Sequence, residues 1–213
     1  MIKTKNELKK YLEQDRIALG IRNLSVKGRL KNIIFPNHIY CFQKALRKAE
    51  YYGNNKRNII SLLLFAYYFF KYKRLSIKLG FSIPMNVFGP GLAIIHYGTI
   101  VVNPRAKVGA NCRIHVCTNI GESGGVVGAP RIGDNVYIGP GAKIYGDITI
   151  ANNTVIAANA AVNKSIIQEG MLVAGVPAKA IKEIDVKRMI KHIYFLVYTK
   201  PEIITNKTTL TRK

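Results

Sequence analysis

Acidic residues are scarce in this 213-residue chain: 11 Asp+Glu stand against 33 Lys+Arg, a formal charge of +22. None falls between residues 51 and 121, so chemistry in that stretch that pairs a histidine with a carboxylate must bring the acid from elsewhere. Cysteine is scarce as well. Cys41, Cys112 and Cys117 are too few, and odd in number, for a secreted disulfide scaffold. Cys112 and Cys117 lack a second ligand pair, so no metal site is expected, and free thiols fit a reducing, cytoplasmic setting. The opening residues Met1, Ile2, Lys3, Thr4 and Lys5 are polar overall, without the apolar core of a secretory signal. The longest apolar stretch, residues 59–70, falls short of the roughly 20 residues that a bilayer crossing needs. It reads as a buried or partner-facing helix, although Lys71, Lys73 and Arg74 directly after it leave an interfacial placement open. With 48% hydrophobic residues the chain can build a core, and wholesale disorder is excluded.

The charge is unevenly spread. Residues 1–80 carry +14, residues 81–175 only +2, and residues 176–213 carry +6. A nearly neutral centre with basic ends presents no basic face for nucleic acid, and no helix-turn-helix or aromatic stacking motif accompanies it. Peripheral contact with an anionic membrane or an acidic polysaccharide is the remaining reading of the basic ends.

The first 80 residues read as a helical region. Thr4 with Glu7 is a capping-box pattern ahead of Leu8, Leu12 and Ile17. Pro36 is expected to open a second helix carrying Ile39, Phe42, Leu46 and Ala49, broken at Gly53, Asn54 and Asn55. A third starts near Asn58 and stops at Gly80. Residues 183–213 are expected to form a short basic amphipathic helix over 186–198 and a mobile tail.

Between them lies the strongest pattern. Val102, Val108, Ile114, Ile120, Val126, Ile132, Ile138, Ile144, Ile150, Ile156 and Val162 recur every six residues. That period fits neither an amphipathic helix nor a hairpin series, but it fits a triangular solenoid whose six-residue sides each turn one aliphatic inward. Gly or Ala follows several of these positions and is expected to relieve the turn. The predicted fold is therefore a left-handed parallel β-helix of hexapeptide repeats, about five coils between residues 87 and 178 within a domain over residues 81–182. His96 and Gln168 stand in phase where an aliphatic is expected. The Gly-rich stretch 121–128 precedes no helix, so a phosphate loop is excluded.

The segments Phe88-Gly89-Pro90-Gly91-Leu92, Ile95-His96-Tyr97-Gly98, Ile100-Val101-Val102 and the closing Gly175-Val176-Pro177-Ala178-Lys179 resemble the serine acetyltransferase family of hexapeptide-repeat acyltransferases, including its relatives in surface-polysaccharide clusters. The resemblance spans about residues 35–182. It implies a homotrimer, with pairing of trimers left open, acetyl-CoA as co-substrate between neighbouring β-helices, and an O-acetyltransferase of cysteine or polysaccharide biosynthesis. His96 matches the family's catalytic histidine, the general base that takes the hydroxyl proton. Gly139, Pro140 and Ala158 match positions along the pantetheine arm, and Lys179 the basic residue near the CoA phosphates. The family's orienting aspartate falls on Ser82, its second acidic position on Ile95, and its substrate-holding Arg-His pair on Gly128 and Ala129. Ser82, Glu122 or a backbone carbonyl is left to orient His96, and His115, just after Ile114, is an acceptor-site candidate.

These departures bear on the acceptor. Free serine presents an ammonium and a carboxylate that each need a partner, whereas a sugar hydroxyl makes no such demand. Family resemblance implies L-serine; site chemistry favours a sugar. A non-catalytic trimeric scaffold is the further alternative. The chain ends Thr211-Arg212-Lys213 rather than in the isoleucine with which the family docks a cysteine-synthase partner, so that partner is not expected.

Overall fold

The computed structural model describes residues 1–21, 35–125 and 127–190. Helix α1 spans Lys5–Ala18 behind the expected capping box, Thr4 accepting from the Glu7 amide and Glu7 from the Thr4 amide. Helix α2 spans His38–Asn54, and its N-cap is the Asn37 side chain, which accepts from Tyr40 N. Pro36 therefore precedes the cap rather than opening the helix, and the helix continues through Gly53. Helix α3 spans Ile59–Leu79, capped by Asn58 and stopped by Gly80 at φ 77°, a left-handed conformation that glycine adopts without strain. Phe42 of α2 is fully buried and meets Phe81 edge-on at 5.1 Å between ring centroids.

From Phe81 the chain winds into three parallel faces. The first comprises Phe81–Ser82, Ile100–Val102, Thr118–Gly121, Lys143–Tyr145 and Ala161–Val162; the second Lys107–Val108, Arg131–Ile132 and Thr149–Ile150. The third comprises Ala93–Ile94, Arg113–Ile114, Tyr137–Ile138, Val155–Ile156 and Met171–Gly175, closed by the antiparallel strand Ala178–Glu183. Parallel pairing stacks like on like, so Ile114, Ile138 and Ile156 form one column, all at 0% exposure. This is why the aliphatics repeat: each position is buried by its own equivalent one coil away.

The register corrects three details of the repeat. Partners are usually eighteen residues apart, as Ile132 with Ile150 and Ile144 with Val162, but Val108 pairs with Ile132 and Ile120 with Ile144. The connection from Gly121 to Arg131 thus takes up six residues more than an ordinary coil does. Val126 lies outside the described residues, and its neighbour Val127 is 80% exposed. Second, Ile94 takes the interior position, pairing with Ile114, and the longer step from Ile94 to Val102 releases His96 and Tyr97 outward. Ile166, bridged to Ile150, likewise takes the rung near Gln168. Third, the glycines after the aliphatics are not the turn residues. A Cβ on Gly109 would stand 2.7 Å from the Gly133 carbonyl carbon, so glycine there admits the next coil. The turning is done by Asn111, Asn135 and Asn153, at φ 56–58°, a region asparagine tolerates best after glycine. Their side chains form a ladder, Asn111 Nδ2 to Asn135 Oδ1 at 2.9 Å and Asn135 Nδ2 to Asn153 Oδ1 at 3.0 Å.

A buried polar cluster ties the helices to the first coil. Arg47, at 0% exposure, donates to Asp15 at 2.8 Å, to Glu50 at 3.1 Å, and to the carbonyls of Phe88 and Gly89. Asp15 accepts from the Gly91 and Leu92 amides, each at 2.9 Å, and Gln43 donates to the Leu92 carbonyl. At the other end, residues Val186–Arg188 form only a 3-10 turn, not the start of a long helix. Ile190 is buried with Val155 and Val186. The remainder of the helix expected over 186–198, and the tail, lie outside the described residues.

Candidate active site

The site candidates gather on the edge where the third face turns into the first. Backbone bonds set the rungs there: Ile95 N to Ile114 O, His115 N to Ile138 O, Gly139 N to Ile156 O and Ala157 N to Val173 O, at 2.8–3.2 Å. One residue further on, His96, Val116, Pro140 and Ala158 occupy successive levels, with Gly141 N bonded to Val116 O and Asn159 N to Pro140 O. At about 4.8 Å per rung, the column from His96 to Ala158 is roughly 14 Å long. Pro140, Ala158 and Lys179 are exposed, and Lys179 pairs with Ala174 in the closing hairpin, at the end of this column. Residues far apart in sequence thus line one edge. A Cβ on Gly139 would stand 2.7 Å from Ala158 N. Glycine there admits the next coil.

His96 is exposed, and among the described residues its side chain makes no hydrogen bond. Its ring centroid lies 6.2 Å from that of His115, which lies 5.1 Å from Tyr137. His115 Nε2 and Arg113 Nε are buried without a hydrogen-bond partner. Burial, with the charges of Arg113 and His96, pushes His115 down to about 4, so it is a neutral imidazole near pH 7. Neither Ser82 nor Glu122 hydrogen-bonds His96. Ser82 pairs with Val101 on the first face, and among the described residues its side chain bonds nothing. Glu122 instead forms an exposed ion pair with Arg105 at 2.8 Å.

Gly128 has φ 151°, and a Cβ there would stand 2.4 Å from that of Asp147. A large side chain at this position requires the loop to move. Among the described residues no cluster of three or more His, Cys, Asp or Glu forms a metal site.

Four residues around His96 went unremarked or undervalued in the sequence. Arg113 could have been found, because strand alternation puts it on the same face as His115. Tyr137 could not, since its place beside His115 depends on the six extra residues in that coil. Tyr97 borders a cleft of ≈ 440 Å³ walled by residues 36–39 and by Lys78 and Leu79. That cleft includes His38.

Three parallel faces with a six-residue period are the architecture of hexapeptide repeats, and a bacterial transferase hexapeptide (six repeats) model matches residues 129–164. Over 100 residues the chain is 38% identical to a serine acetyltransferase of Mycobacterium tuberculosis, covering 46% of this chain and 43% of that one. A serine acetyltransferase from Brucella abortus solved in complex with coenzyme A superposes with a TM-score of 0.65 at 28% identity, covering 84% of this chain and 71% of that one. One from Neisseria gonorrhoeae solved in complex with serine gives 0.60 at 26%, covering 82% and 69%. The chain is thus similar in sequence and in fold to serine acetyltransferases, and its parallel coils are those of a left-handed β-helix. Its match spans less than half the length of the curated relative from M. tuberculosis.

Proposed function

We propose that the protein is an acetyl-CoA-dependent O-acetyltransferase whose donor lies along the His96–Ala158 edge. The observation that carries this reading is the column itself: a histidine, then Val116, Pro140 and Ala158, ending beside an exposed lysine. Small side chains leave room for an extended arm, and Lys179 offers a point charge to phosphates. His96 takes the acceptor's hydroxyl proton as the oxygen attacks the thioester carbonyl. The C–S bond breaks when the tetrahedral adduct collapses, and the imidazolium returns the proton to the departing sulfur. Three copies of the five-coil β-helix assemble so that each donor groove lies between neighbours, in the cytoplasm where acetyl-CoA is available.

For the acceptor we favour a sugar hydroxyl of a surface polysaccharide precursor over free L-serine. Glu122 is engaged by Arg105, Gly128 cannot take up an arginine without a loop shift, and no carboxylate bonds His96 among the described residues. Serine's ammonium would be left without a partner, a demand that a sugar hydroxyl does not make. Mass spectrometry of products from acetyl-CoA with L-serine and with a glycan panel tests this. Acetylated glycan with little O-acetylserine is expected; efficient turnover of millimolar serine overturns the choice of acceptor. Loss of acetyl-CoA binding in calorimetry overturns the enzyme reading and favours a scaffold.

A further inference from the structure

Helix α3 is apolar around most of its circumference, yet only one side of it is covered. Tyr72, Ser76 and Leu79 face inward, while Ile60, Leu63, Tyr67, Phe70 and Ile77 are 65%, 63%, 58%, 69% and 85% exposed. Those five recur at intervals of three, four or seven, so they form one stripe along the helix. A stripe of this size on a soluble surface marks an interface.

Charge identifies what covers it. Lys56 and Arg57 precede the helix, and Lys71, Lys73, Arg74 and Lys78 line its second half, all of them exposed. The nearest acidic residues in sequence are Glu50 and Glu122, and Glu50 is buried against Arg47. A second copy brought face to face would set this positive stripe against itself, with no carboxylate on either side. A protein partner would need a long acidic rim around an apolar centre. An anionic lipid surface supplies both, with acyl chains for the aliphatic and aromatic side chains and headgroups for the lysines. Among the described residues no helix is long and apolar enough to cross a membrane, so the helix lies in the interface and does not span it.

We propose that the outer face of α3 docks the protein on anionic phospholipid. The C-terminal end of α3 is also the wall of the cleft beside Tyr97, through Lys78 and Leu79, and Leu79 O accepts from Gly98 N at 2.8 Å. Docking therefore places the His96–Gly98 corner next to the headgroup layer, where a lipid-carried acceptor would be presented.

The chain contains no tryptophan, so Phe70→Trp supplies a single indole reporter at an exposed position. Full-length protein is mixed with vesicles of phosphatidylcholine alone or with about one third phosphatidylglycerol, an anionic fraction that attracts polybasic surfaces. A blue shift and co-sedimentation with the anionic vesicles only are expected. Leu63→Asp with Phe70→Asp should weaken that binding by at least about ten-fold. Removing Lys71, Lys73 and Arg74 as alanines should weaken it about five-fold per charge. Circular dichroism checks that the exposed substitutions leave the fold intact. Equal binding by the aspartate variant, which would locate contact in the basic tail, overturns the proposal. So does binding to neutral vesicles alike, an unshifted indole, or a wild type that ignores vesicles and loses assembled mass in ultracentrifugation when Phe70 is changed.

Discussion

Replacing Arg47 by alanine removes the guanidinium that holds α1, α2 and the first coil together. Its partners Asp15 and Glu50 are 1% and 2% exposed, so both carboxylates would stay buried without their cation. The Phe88 and Gly89 carbonyls lose their donors as well. Breaking a buried pair on one side costs about 3–5 kcal/mol; at roughly 2–4 °C per kcal/mol for a chain of this size, the midpoint should fall by about 6–20 °C. The deficit should also depend on pH. Burial raises Glu50 above its ordinary value, opposed chiefly by the charge of Arg47, and removing that charge raises it further. An acid whose folded pKa lies above its unfolded one loses stability as pH rises through the folded value. The variant should therefore be worse at pH 8 than at pH 5. Urea melts of wild type, Arg47→Ala, and Arg47→Met combined with Asp15→Asn and Glu50→Gln test this, the last recovering much of the loss. A loss under about 1 kcal/mol, or a deficit larger at pH 5 than at pH 8, refutes the reasoning.

His96→Ala should lower kcat by at least about 10²-fold in protein of unchanged assembly, followed by CoA thiol release; near-normal turnover removes the general base from His96. Asn135 sits at φ 56° between two ladder bonds, so Asn135→Ala should cost about 2–3 kcal/mol in strain and lost hydrogen bonds. Asn135→Gly should cost clearly less, and equal losses in thermal melts would count against strain. His115, pushed down to about 4, stays neutral in the fold while the unfolded chain protonates near its ordinary value. Its contribution is present above the unfolded value and fades as pH falls through about 6.5 toward 4. Partial exposure limits the size of this effect. His115→Gln should flatten the stability profile in that window, and an unchanged profile would exclude the site as its source.

Local patterns settled much of the architecture. The Thr4–Glu7 box, Asn58 and Gly80 mark helix ends that coincide with the caps observed, because capping is a matter of a few adjacent residues. The six-residue aliphatic period likewise resolves into three faces, since identical side chains bury one another in parallel rungs. The cap at Asn37 was missed because Pro36 is also a legitimate first-turn residue. The cluster of Asp15, Arg47 and Glu50 was invisible, as nothing in three separated polar residues announces their burial against Phe88–Leu92 carbonyls and amides.

Within the site, the chain's own order of residues was enough to single out His96 and the lack of nearby carboxylates. Tertiary structure decided what surrounds it. Six extra residues in one coil set Tyr137 beside His115, the long step after Ile94 turns His96 outward, and Arg105 pairs with Glu122. It also decided which side of α3 stays bare. A repeat pattern reports what must be inside each coil, because burial selects residue type. The register between coils, and so the neighbours of every outward side chain, is selected by hydrogen bonding across eighteen or more residues, beyond the reach of any local pattern.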